Sequence, residues 1–175
     1  MRIPLFAAAV LGASALFALS AQAQQPAPGG APPQQQAAPT QQTPYGLPID
    51  LALARKAADA AVAKAKQTGF PSAIAIVGPA GELVFFEKMD NANNSVSALA
   101  IKKARSAAGF RRPTKLFEDG LATRPVIGQL GVTAVGGGMP IVLKARAVGA
   151  IGASGAPTSE GDIQAAQAAI DALGK

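Results

Sequence analysis

Residues 73–87 read AIAIVGPAGELVFFE, and this stretch decides the fold. Ala73–Val77 is an apolar run of strand length, Pro79-Ala80-Gly81 has the chemistry of a tight turn, and Leu83–Glu87 is rich in β-branched and aromatic residues. Two runs joined so briefly pair antiparallel, because a parallel return needs a crossover of a dozen residues or more. Upstream, Asp50 can cap a helix running to about Thr68, with Leu51, Ala54, Ala58, Ala61 and Ala65 on one stripe and Gly69 and Pro71 to stop it. Downstream, Asp90–Asn94 is a polar loop, Ser95 can cap a helix to about Ala108, and Pro113 and Thr114 open a short helix through Leu121. Gly136-Gly137-Gly138 turns the chain into a strand at Pro140–Leu143, Val148–Ala153 forms another, and Ser159 starts a last Ala-rich helix that ends at Gly174. The order α-β-β-α-α-β-β-α, with its strands in hairpins, predicts an α/β domain of the α+β kind. Its sheet is antiparallel and flanked by helices, not doubly wound.

The N-terminus reads as an address. Arg2 precedes an almost unbroken apolar run from Ile3 to Leu19, and Ala21-Gln22-Ala23 is the small-x-small pattern of a cleaved signal, so residues 1–23 are expected to leave before Gln24. The periplasm or the cell exterior is the expected location, with no stable membrane anchor after cleavage. Residues 24–46 are uncharged and dominated by Gln, Pro, Ala and Gly, the composition of a disordered tether. Tyr45, the one tyrosine, sits at its end and is read as a lid or staple. Residues 47–175 form one domain, rich in Ala and Gly, whose modest side-chain area suggests a homo-oligomer.

The 175 residues contain no histidine, cysteine or tryptophan and carry a net charge of +6. Imidazole- and thiol-based nucleophilic catalysis is thereby excluded, as are zinc sites built from His and Cys and haem held by His or thiolate. No metal site is expected, and the residues point towards binding more than turnover. Net charge alone does not indicate nucleic acid: the cations interleave with Ala and Gly, and no recognised motif accompanies them. Gly136–Gly138 lacks the spacing of a dinucleotide fingerprint and is read as a close-packed turn.

One residue breaks the ordinary rules. On a helix starting at Val96, the residues Val96, Leu99, Ala100, Ala107 and Phe110 share a face, and Lys103 falls in its middle. An ammonium group there needs compensation. It can reach Asp90 or Glu87 within the fold, cross a subunit interface, or serve an anionic ligand alongside Arg111, Arg112 and Lys115. Lys102 and Arg105 fall on the opposite side, as a solvated face. Glu160 and Asp162 suit the dipole at the start of the last helix.

The ordered set Ala73–Val77, Gly81-Glu82-Leu83, Asp90, Lys103–Ala107, Phe110–Thr114, Gly137–Ile141, Gly149–Gly155 and Asp162 resembles the GlcG/HbpS family of haem-binding proteins. The resemblance covers the domain and not the leader or tether. It implies a profilin-like fold, higher homo-oligomers and, for some members, haem as cofactor. It also marks Lys103, Arg112 and Thr114 as cofactor-binding candidates: the two cations for propionates, the hydroxyl as a weak iron ligand. Met89 and Met139 are the domain's thioethers. An exported haem binder, buffer or accessory module follows. Its rivals are an enzyme or sensor for a small carboxylate metabolite or haem, and a non-catalytic oligomeric scaffold.

Overall fold

The computed structural model describes residues 42–174. The leader and most of the tether fall at residues 1–41, outside the described residues. The elements are α1 (Leu51–Thr68), β1 (Ala73–Val77), β2 (Leu83–Lys88), α2 (Asn94–Phe110), α3 (Lys115–Leu121), a 3-10 turn (Pro125–Leu130), β3 (Gly138–Leu143), β4 (Arg146–Ser154) and α4 (Ser159–Leu173). The four strands form one antiparallel sheet in the order β2-β1-β4-β3. The α+β architecture is therefore the expected one, with a 3-10 turn that the sequence reading did not anticipate.

Local chemistry sets the boundaries. Asp50 accepts a hydrogen bond from Leu53 N at 2.8 Å and caps α1, and Gly69 ends it in the left-handed region at φ 77°. Asn93, not Ser95, precedes α2, which runs on to Phe110 because Arg111 adopts the left-handed conformation there, φ 51°. Gly138 belongs to β3 instead of the turn, and β4 begins two residues before the expected Val148.

The sheet separates two cores. All five residues of β1 are buried, with alternation along the strand: Ile74 and Ile76 face α1 and α4, while Ala73, Ala75 and Val77 face α2. Ile74, Ile76, Ile141 and Ile151 are the fully buried isoleucines of the α1–α4 side, each contributing about 1.5–3 kcal/mol by burial. On the other side α2 rests on the sheet almost backbone to backbone. A Cβ on Gly152 would lie 2.0 Å from Ala100 O, and one on Gly138 would lie 2.5 Å from Lys103 O. That proximity explains the small residues Ala100, Ala104 and Ala107 along the buried face of α2. Among the described residues no helix is long and apolar enough to cross a membrane.

Composition places Thr43–Gly46 in the tether, but the structure engages this segment. Ala147 N donates to Pro44 O and Gly46 N donates to Ala147 O, both at 2.9 Å, so the strap runs beside the start of β4.

Candidate functional site

Lys103 points from α2 into the interior and is completely buried. Its Nζ donates to Asp162 Oδ2 at 2.6 Å and to Ala153 O at 3.1 Å, tying α2 to β4 and α4. The partner is neither Asp90 nor Glu87, as the sequence suggested. Asp162 lies on the buried stripe of α4 with Ala165, Ala166 and Ala169, at i, i+3, i+4 and i+7. Applied to the last helix, the periodicity test that singled out Lys103 would have found it. Its second oxygen accepts from Ala156 N at 3.0 Å.

Thr114 is also fully buried. Its hydroxyl donates to Val135 O at 2.7 Å and accepts from Gly138 N at 2.9 Å, and its own N–H donates to Gly138 O at 2.9 Å. These bonds dock the start of α3 onto the first residue of β3. One turn on, Glu118 accepts from Gly136 N at 2.5 Å and from Ser159 Oγ at 2.6 Å. The Ser159 hydroxyl, aided by the Gly136 amide, holds the Glu118 carboxyl below the usual glutamate range. The glycine turn is thus clamped from α3 and α4. Glu118 was not among the sequence candidates; nothing in its local pattern distinguishes it from a solvated helix residue.

Arg112 stands apart from Lys103 and Thr114. It is exposed and lines a groove of about 460 Å³ at the C-terminal end of α2. Phe110, Leu116, Phe117, Ile127 and Leu130 give the groove apolar walls, and Arg124 adds a second cation. The rings of Phe110 and Phe117 meet edge to face, their centroids 5.0 Å apart. Neither arginine has a carboxylate at ion-pair distance among the described residues. Gln42, just before the strap, completes one side. The strap is held there by Tyr45, whose hydroxyl donates to Gly109 O at 2.9 Å, and by Arg111, stacked 4.4 Å from the Tyr45 ring centroid and donating to Thr43 O at 3.0 Å. Tyr45 is the staple the sequence suggested.

Of the three sequence candidates, Arg112 alone lines the groove; Lys103 and Thr114 are buried with their polar atoms engaged inside the fold. Met89 and Met139 both pack against the α1–α4 core. Among the described residues no three His, Cys, Asp or Glu side chains are grouped to hold a metal ion.

Comparison with known proteins agrees with this architecture. A family model described as haem degrading protein HbpS-like matches residues 49–171. An uncharacterized 15.0 kDa protein of the dhaT-dhaS intergenic region of Citrobacter freundii is 31% identical over 131 residues, covering 70% of this chain and 90% of that protein. The crystal structure of a double mutant of Streptomyces reticuli HbpS superposes with a TM-score of 0.70 at 31% identity, over 85% of this chain and all of that one. A crystal structure of PduOC in complex with haem superposes with a TM-score of 0.64 at 27% identity, over 72% of this chain and 95% of that one.

Proposed function

The chain belongs to the HbpS-like family, and from that premise we propose that it binds haem in the groove beside Phe110, as an exported haem binder or buffer. The observation that carries this reading is the pairing of apolar walls with two arginines that no described carboxylate neutralises. Haem is a flat apolar ring with two carboxylates on one edge. The groove, about 460 Å³, is within the usual range of about 300–1,000 Å³ for small-molecule sites. Phe110, Leu116 and Leu130 would face the ring, and Arg112 and Arg124 would meet the propionates through charge-assisted hydrogen bonds.

The residues present fit the ring and its carboxylates. They offer the iron no imidazole, thiolate or thioether at the groove, so the ring and its propionates would carry the binding. Lys103 and Thr114 act one step back. Lys103 fixes α2 on the sheet, and Thr114 fixes the segment that carries Arg112 two residues earlier. Two further features support the cellular setting: the apolar run and small-x-small pattern before Gln24 favour export, and exposed Leu47, at 85%, and Leu51 favour a homo-oligomer.

The test is a haemin titration of the purified protein, followed in the Soret band beside a size-matched control. A saturable shift at a fixed ratio, weakened about tenfold in Arg112→Gln/Arg124→Gln, supports the groove. A featureless rise without saturation refutes haem binding, and a double variant that binds like the parent refutes the location.

A further inference from the structure

A second hollow adjoins the groove on the far side of Gly109 and Phe110, which line both. It has a volume of about 510 Å³ and lies between the outer face of α2 and the loop at 131–133. Lys102, Arg105 and Ser106 stand on one wall, at i, i+3 and i+4 on the same helix face, with Thr133 opposite.

Its charge is unbalanced. From Asn91 to Phe117 the sequence holds six Lys and Arg and no Asp or Glu. Lys103 is spent on Asp162 and Lys115 on Glu118 and Asp119; Lys102 and Arg105 pair with no carboxylate among the described residues. The guanidinium of Arg105 is steadied because its Nε donates to Gly81 O at 3.0 Å, which leaves its two terminal nitrogens available. Glu82, beside it in the same turn, is bent back onto Ala80 N at 3.1 Å. Ser106 Oγ accepts from Thr133 N at 2.9 Å, so the loop is fixed to the helix. The Ser106 hydroxyl donates no hydrogen bond among the described residues.

We propose that this hollow is a second binding site, for a compact multivalent oxyanion: a small metabolite bearing carboxylate or phosphate groups. Lys102 supplies a mobile point charge, Arg105 a planar pair of donors, and Ser106 a short hydroxyl donor at the floor. The site does not depend on haem, whose carboxylates have Arg112 and Arg124 on the other side of Phe110. Because both hollows share that ring, their occupants would sit on either side of it. The sequence reading of Lys102 and Arg105 as a solvated face lacked the loop at 131–133, which converts the face into a concavity.

The experiment is isothermal titration of the full chain with citrate and with inorganic phosphate, at ionic strength held constant with sodium chloride and with haemin absent. Saturable binding of either probe is expected, weakened about tenfold or more in Lys102→Gln/Arg105→Gln, and unchanged in Lys56→Gln, an exposed cation on α1. Which probe saturates identifies the oxyanion. If circular dichroism shows the double variant unfolded, Lys102→Gln alone is read, since that side chain has no internal partner. No saturation above the chloride background by either probe overturns the proposal. So does full affinity in the folded Lys102 and Arg105 variants, or an equal loss in Lys56→Gln, which would reduce the effect to net charge.

Discussion

Lys103→Met removes the ammonium group while keeping a flexible chain of similar length, so it separates charge from volume. The mutation leaves Asp162 only 5% exposed, with the Ala156 amide as its remaining donor. Stranding one member of a buried pair costs about 3–5 kcal/mol. The Ala156 bond and the N-terminal end of α4 offset about 1 kcal/mol of that, so a loss of about 2–4 kcal/mol is expected. For a domain of this size the melting temperature should fall by about 10 °C. Asp162→Asn keeps the shape and the acceptor for Ala156 N but leaves the ammonium without its counter-charge, and should cost a comparable amount. In Lys103→Met/Asp162→Asn neither charge remains to be stranded. That double variant should therefore lie well above the sum of the singles, with a coupling of at least about 2 kcal/mol. Urea denaturation of the four proteins, with m held constant as the check on two-state behaviour, measures the cycle. A Lys103→Met cost below about 1 kcal/mol together with additive singles would refute the claim that this pair locks α2 to α4. Haemin affinity should survive in folded Lys103→Met, because Lys103 does not line the groove; a loss as large as that of Arg112→Gln/Arg124→Gln would refute its role as a framework residue alone.

Three other perturbations probe the rest of the frame. Gly152→Ala places a methyl carbon 2.0 Å from Ala100 O, where backbone must yield; a loss of about 3 kcal/mol or more is expected in thermal melts, and a melting temperature equal to the parent's would disprove the close approach of α2. Arg111→Gly relieves the left-handed backbone at φ 51°, worth about 1 kcal/mol, but removes the stack on Tyr45 and the bond to Thr43 O. Global stability should change by less than about 2 kcal/mol while limited proteolysis in the strap speeds up sharply; unchanged cleavage would show the strap needs no clamp. For Glu118, the folded pKa is depressed, so its contribution is present above the unfolded value and is lost as pH falls through the lower native one. Stability measured from about pH 5 down to about pH 3 should therefore fall more steeply in the parent than in Glu118→Gln, and identical slopes would refute the assignment.

How much of this was legible in the sequence depends on the range of the interaction. The hairpin at Ala73–Glu87 and the capping of α1 by Asp50 and Gly69 are local, and local chemistry decided them. Lys103 was visible as an anomaly because helical periodicity is itself local. Asp162 stands on the buried stripe of its own helix and is visible in the same way, but the pairing of the two is not local: 59 residues separate them. The short elements after Thr114 were the hardest. The 3-10 turn at Pro125–Leu130 lacks the repeated turns that reveal a longer helix, yet Ile127 and Leu130 from it complete the groove. Arg112, Lys103 and Thr114 follow from the resemblance alone; in the fold Lys103 ties α2 to α4, and Thr114 docks the start of α3 on β3.

The same framework explains why the two hollows beside Phe110 lie at one end of α2. Along most of its length the helix is fixed by contact of its backbone with Gly138 and Gly152 and by the buried ammonium of Lys103. Small residues at that contact leave no room for a ligand between helix and sheet. At Gly109 and Phe110 the chain leaves the sheet, turns at Arg111 in the left-handed region, and crosses to β3 through Thr114. That crossing exposes the last turn of α2 on two sides. The strap, α3 and the 3-10 turn enclose one side as an apolar trough, and the loop at 131–133 encloses the other as a cationic one. A rigid helix therefore presents two concavities separated by a single aromatic ring. Phe110, 36% exposed, lines both of them.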